Sequence, residues 1–239
     1  MKNMMIHQAC RRLKRAAVAF GIGVAACFPA SGQAQLVLSE VIVDFAPGKP
    51  PRADIEAWNN TKERMYVVAE PSEIVSPGQA GETRLQEPDP EKLGLLVSPA
   101  RMVLEPGQHK LIRVAAISDR RETDRTYRVT VKPVVGELAT EESALKIMVG
   151  YDVLVIVRPD ALRPEMDAVR SGKKITFRNT GNTNLELIDG RQCDPSGKQC
   201  KELVAKRLYP GASWEQQLSH ETAVEYSVKS GTQVLARRF

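Results

Sequence analysis

Between residues 35 and 239 apolar side chains recur at every second position, and helical periodicity is nearly absent. The alternation comes in short β-branched runs that Pro, Gly and Asn interrupt at strand-like spacing. This period restricts the fold more than any other feature, because only a sheet puts every second residue on one buried face. It predicts strands over residues 36–45, 53–58, 64–70, 100–104, 109–117, 125–135 and 144–157. A polar, Pro-rich stretch from Pro71 to Pro90 reads as a long loop. Seven such strands fit an immunoglobulin-like sandwich. Arg158-Pro159-Asp160-Ala161-Leu162-Arg163-Pro164 then interrupts the pattern, and two prolines so close together read as a hinge. Strands resume over 174–178, 184–189, 201–208, 213–218, 223–229 and 233–239, with turns at Asn179-Thr180-Gly181-Asn182 and Tyr209-Pro210-Gly211. The expected architecture is all-β: two immunoglobulin-like sandwiches, residues 35–159 and 160–239, joined by a Pro-containing hinge. No internal sequence repeat is visible.

Residues 1–34 differ in kind. Lys2, Arg11, Arg12, Lys14 and Arg15 precede an apolar, small-residue stretch from Ala16 to Ala30, too short for a membrane span. Ser31-Gly32-Gln33-Ala34 then offers a small-x-small cleavage site, so 1–34 reads as a cleaved signal peptide. An amphipathic N-terminal helix is the plainer alternative. Arg11-Arg12 faintly resembles a twin-arginine signal and Cys27 a lipoprotein site. The five basic residues account for the whole formal charge of +5, leaving 29 Lys and Arg against 29 Asp and Glu. A neutral body lacks the basic face that phosphate-backbone binding needs.

Export would leave two cysteines, Cys193 and Cys200, flanking the turn-forming Asp194-Pro195-Ser196-Gly197. In an oxidising compartment the pair reads as a disulfide closing a hairpin tip. A zinc site would need two further ligands, and His220 stands without a partner nearby. Beyond residue 34 only His109 and His220 remain, and there is no Gly-x-Ser-x-Gly, His-Glu-x-x-His or phosphate-binding Gly-rich loop. The carboxylates, such as Asp89/Glu91 and Glu141/Glu142, scatter through turns, and Asp119 to Asp124 reads as a salt-laced loop. An enzyme, a cofactor and a metal are therefore not expected.

The informative segment is Ser143 to Pro159. Its first half places Leu145, Ile147 and Val149 on one face. Its second half, Val153 to Val157, is continuously apolar, as in a strand buried on both sides. Together they are longer than one ordinary strand. A strand that outruns its sheet offers backbone and apolar side chains to another chain.

Four features coincide here: Leu96-Val97-Ser98-Pro99 with Leu104-Glu105-Pro106-Gly107 and Lys110-Leu111-Ile112-Arg113-Val114; Asp124-Arg125-Thr126-Tyr127-Arg128-Val129-Thr130-Val131; the alternating Leu145/Ile147/Val149; and Arg158-Pro159. With the leader and two sandwiches, this set resembles the periplasmic pilus chaperones of the PapD-like, chaperone–usher family. The resemblance covers nearly all of the chain after the leader and is specific mainly over residues 95–159. It implies donor-strand complementation, in which the chaperone lends Leu145, Ile147 and Val149 to an incomplete pilus subunit and later yields that subunit to an outer-membrane usher. The short loop from Val135 to Ser143 resembles the short-loop branch of the family. An exposed apolar edge also makes self-association of the free protein an expectation.

Some positions depart from the family pattern. A basic pair expected in the interdomain cleft falls on Ile42 (or Val43) and Leu154, neither of them basic. Lys49, Arg52 and Lys146 are candidate substitutes. Arg158 matches a cleft arginine and Asp124 its acidic partner, whereas the third member falls on Lys229, of the wrong sign. Arg158 is thus expected to be partly paired or to use another acid. These departures suggest a divergent branch. The resemblance implies a periplasmic chaperone for fimbrial subunits; the alternative is an exported two-domain structural or adhesive protein whose long strand serves its own core.

Overall fold

The computed structural model describes residues 35–134 and 148–239. In the first sandwich, one sheet runs in the order β1 (Leu36–Leu38), β3 (Arg52–Asn59), β8 (His109–Ala116), β6 (Leu95–Ser98). The facing sheet runs β2 (Ile42–Phe45), β10 (Tyr151–Val157), β9 (Arg125–Val134), β4 (Met65–Val75), β5 (Thr83–Leu85), with β7 (Arg101–Leu104) also on β4. The only parallel pair between described strands is β2–β10. Between the sheets lies an aliphatic core that includes Ile55, Val67, Leu95, Leu104, Ile112, Val114, Val129 and Val155, with Tyr127. Tyr127 donates to the Leu93 carbonyl, and its burial pushes the phenol pKa up to about 12.

The second sandwich pairs a sheet of β11 (Met166–Ser171), β12 (Lys174–Asn179), β16 (Ser213–Gln217) with one of β14 (Cys200–Leu203), β13 (Leu185–Cys193), β17 (Val224–Ser230), β18 (Gln233–Arg238). In this second sheet β15 (Lys206–Leu208) also pairs with β13. Its core is aromatic: Phe177 stacks on Trp214 and meets Tyr226 and Phe239 edge-on. Cys193 and Cys200 face each other across β13 and β14 and form the expected disulfide.

Three expected elements come out differently, each for a reason of side-chain parity. The stretch 36–45 is two strands in two sheets. Leu36 and Leu38 point inward at even positions, Val43 and Phe45 at odd ones, and one continuous strand cannot bury both sets. The break falls at Ser39, which exchanges bonds with Glu56: its N–H donates to the Glu56 carbonyl and its hydroxyl accepts from the Glu56 N–H. The expected loop from Pro71 to Pro90 instead continues β4 to Val75, returns as β5, and ends in a helical turn α1 (Pro90–Leu93). Asp89 caps that turn by accepting from the Glu91 N–H, and Gly94 closes it in the left-handed region. The inward set of β4 likewise changes from Met65, Val67 and Ala69 to Ser72 and Ile74. The expected strand 201–208 is divided into β14 and β15, and β11 precedes the first strand expected after the hinge. Of the long strand 144–157, residues 144–147 lie outside the described residues, Met148 to Gly150 are not strand, and β10 begins at Tyr151.

The structure also contains a repeat that sequence similarity did not reveal. Asn59, at the end of β3, donates through Nδ2 to the carbonyls of Glu63 and Leu104 while its Oδ1 accepts from the Thr61 N–H. Asn179, at the end of β12, donates to the carbonyls of Thr183 and Leu208 while its Oδ1 accepts from the Gly181 N–H. Both main chains then pair with a Pro-Gly turn, Gly107 and Gln108 in one case, Gly211 and Ala212 in the other. The shared residues are an Asn and a distant Leu-x-Pro-Gly, too few for a pairwise repeat to stand out.

Candidate functional site

The outer face of the β2–β10–β9–β4 sheet carries a row in register: Asp44, Ile156, Thr126, Ile74. All but Asp44 are buried, yet none belongs to the core between the sheets. They line or adjoin a cleft whose opposite wall is Gly181, Tyr209, Pro210 and Gly211 of the second sandwich. The whole run Val153–Val157 is buried, with Val153, Val155 and Val157 in the core and Leu154 and Ile156 on this outer face. That matches the expectation for a strand covered on both sides.

Arg158, immediately after β10, is almost fully buried and spans the junction. Its Nε and Nη2 donate to the Asp44 carboxylate at 2.7–3.0 Å, and Nη1 donates to the Thr183 hydroxyl. Burial opposes the guanidinium charge, but the bonds and field of Asp44 outweigh it and hold the pKa above its usual value. The acid that pairs with Arg158 is therefore Asp44, and no ion pair between Asp124 and Arg158 lies within 4 Å. Asp44 became its partner because the parallel register sets it beside Ile156, two residues before Arg158. Asp124 instead accepts through Oδ2 from the Asn184 main-chain and side-chain amides. Burial pushes its carboxyl pKa up, against the pull of Asn184, Arg158 and Thr183. Lys229 faces Glu186, which also pairs with Arg207, and Arg207 donates to the Asn184 side-chain oxygen. The wrong-signed position thus has its own acid.

The sequence pattern assigns Arg120 to a salt-laced loop. Its side chain is largely buried instead: Nη1 donates to the carbonyls of Phe45 and Arg158, Nη2 donates to Ala46, and Nε faces Asp160 at 3.4 Å. It fastens together the ends of β2 and β10. Nothing in the local sequence separates it from the neighbouring exposed Arg121. Asn182, which the sequence marks only as a turn residue, is also a contact residue; its Nδ2 donates to the Glu122 and Ala161 carbonyls, and its Oδ1 accepts from the Arg163 N–H.

At the other end of β10, Val149 is 63% exposed, whereas Leu145 and Ile147 lie outside the described residues, as does the loop 135–143. Pairing of β10 to β2 starts only at Leu154, so among the described residues no strand covers Tyr151 to Val153 on that side. Gly150 is held close to β9: a Cβ there would come within 2.8 Å of Lys132 Cβ.

No family model matches the chain. A CS1 fimbrial protein of Escherichia coli is 26% identical over 172 residues, 67% of this chain and 72% of that protein. A protein of Escherichia coli strain K12 named "Probable fimbrial chaperone EcpE" is 29% identical over 149 residues, 59% of each chain. Among solved structures, the class 5 fimbriae chaperone CfaA superposes with a TM-score of 0.63 at 23% identity, over 85% of this chain and 98% of that one. The SafB chaperone in complex with SafA pilin from Salmonella enterica gives 0.61 at 15% identity, over 88% and 99%. The chain carries the fold of the fimbrial chaperones. The resemblance read over residues 95–159 is borne out in that fold. Within this chaperone fold, the two positions expected to be basic, Ile42 and Leu154, are direct neighbours in register, an apolar pair where the family pattern has a cationic one. Of the candidate substitutes, Lys49 sits in the exposed turn after β2, Arg52 opens β3 in the opposite sheet, and Lys146 lies outside the described residues.

Proposed function

We propose that the chain is a periplasmic chaperone that holds fimbrial subunits by donor-strand complementation and yields them to an outer-membrane usher. The relatives and structural neighbours named as fimbrial chaperones favour this reading, as does the neighbour seen bound to a pilin. The observation that carries it is the open end of β10, where Tyr151 to Val153 lack a strand on one side and the exposed Val149 leads into the alternating segment. In this reading residues 1–34 are a signal peptide removed on export, 35–159 the donor-strand domain and 160–239 the second domain. Leu145, Ile147 and Val149 enter the subunit's groove, each contributing about 1.5–3 kcal/mol on burial. Arg158 and Asp124 belong to the junction that holds the two domains. The work is binding, with no catalytic step and no cofactor.

The test is capture of the tagged protein from the periplasm of its native cell, followed by mass spectrometry. The expected result is an exported immunoglobulin-like partner of similar size, lost from Ile147→Asp while that variant keeps the wild-type unfolding midpoint. A folded Ile147→Asp that retains the same partner, or a wild type that captures none while fimbriae are being made, would overturn the proposal.

A further inference from the structure

One attachment between the sandwiches lies at an edge of the cleft, where β2 and β10 bring Asp44 and Arg158 to Thr183. A second contact lies across the sheet at the β4–β5 edge. There the hairpin tip from Ser76 to Glu82 reaches the second sandwich: Gln79 Nε2 donates to the Pro210 carbonyl at 3.2 Å. A Cβ built at Gly78 would lie 3.4 Å from both Ala212 Cβ and Tyr209 Cδ2. The tip is internally bonded rather than slack. Gly78 N–H donates to Glu82 Oε2, the Gln79 N–H to Ser76 O, and the Glu82 N–H to Gln79 O. Ser76 and Gly78 both adopt positive φ to make the turn. Asn179 then links the two contact points from the far side, because its bonds join the Thr183 loop to Leu208 and its main chain joins Gly211 and Ala212. Both ties therefore end on one rigid corner, and the cleft of about 590 Å³ between them has Val75, Ser76 and Gln79 on one side and Pro210 and Gly211 on the other.

We propose that the Ser76–Glu82 tip is an interdomain strap, a second attachment that fixes the angle between the sandwiches and so the opening of the cleft. A single attachment beside a Pro-containing linker leaves a hinge. Two attachments at opposite edges of one sheet remove that freedom.

Two variants test it on the isolated chain without any client, so the outcome is independent of the chaperone reading. In Gly78→Cys with Ala212→Cys, the Cβ separation is close to the disulfide range of about 3.5–4.5 Å. Mild oxidation is expected to consume both new thiols within one chain. In the second variant an Asn-Gly turn replaces residues 76–82 and keeps the Val75–Thr83 pairing. Spin labels at Lys110→Cys and Ser219→Cys are then expected to show a wider interdomain distance distribution than with the strap intact. Free thiols after oxidation, or an unchanged distribution without the tip, would overturn the strap.

Discussion

The corner at Asn59 and the corner at Asn179 are built from the same bonds, yet one faces solvent and the other carries the junction between the sandwiches. After Asn59 come Thr61, Lys62, Glu63 and Arg64, and Arg64 ends in an exposed ion pair with Glu105. After Asn179 come Asn182, Thr183 and Asn184, all buried and all bonded to groups of the first sandwich. The Asn clasp is thus a device for turning the chain at the end of a sandwich. What hangs on it decides whether that end can be buried. Amide and hydroxyl groups can leave water when each finds a partner, and here the partners are Glu122, Arg158 and Asp124. A charged run such as Lys62 to Arg64 would bring uncompensated charge into the same place.

The largest effect expected from this difference is at Arg158. Replacing it with Met removes both the ion pair to Asp44 and the bond to Thr183, and denaturant unfolding should show a loss of about 3 kcal/mol. Arg64→Met at the exposed corner should cost less than about 1 kcal/mol. Equal costs would mean that the junction contributes no more than a surface pair. The next effect compares the clasps themselves. Asn59→Ala and Asn179→Ala each leave two carbonyls and one N–H without their partner, at about 2–4 kcal/mol in either sandwich. Only Asn179→Ala should also change the interdomain distance read from spin labels, because only that clasp joins the two docking loops. A shift of similar size in Asn59→Ala would end the distinction.

The sandwiches themselves were legible because alternation is a local signal: each strand with a clean two-residue period, such as β8 or β9, announces its own buried face. The disulfide was legible for a similar reason, since its cysteines flank turn-forming residues. What could not be read were features that depend on which strands become neighbours. Asp44 pairs with Arg158 only because β2 runs parallel to β10 in one register, and no residue near Asp44 signals that. Arg120 looks like any arginine in a mixed-charge loop until three carbonyls from two chain ends converge on it. The parity change between Leu38 and Val43 was available in the sequence and would have divided that strand. The equivalent change in β4, between Ala69 and Ser72, was hidden by Pro71, which suggested a loop.

The smallest expected effect concerns Asp124, and its sign is opposite to that of most paired carboxylates. Burial raises its pKa in the folded chain above the unfolded value, so the folded state binds its proton more readily. The cost of keeping Asp124 ionised is absent below the unfolded pKa, appears as pH rises from that value to the higher folded one, and persists at neutral pH. Asp124→Asn keeps an oxygen that can accept from Asn184 and carries no charge to bury. It should therefore melt slightly above the wild type at pH 7, with the gap closing as pH falls through the carboxylate range. A melting temperature below the wild type at pH 7, with a gap that narrows in acid, would show that the Asp124 charge supports Arg158 more than burial opposes it. The second corner would then rest on two acids of the first sandwich, Asp44 and Asp124, rather than on one.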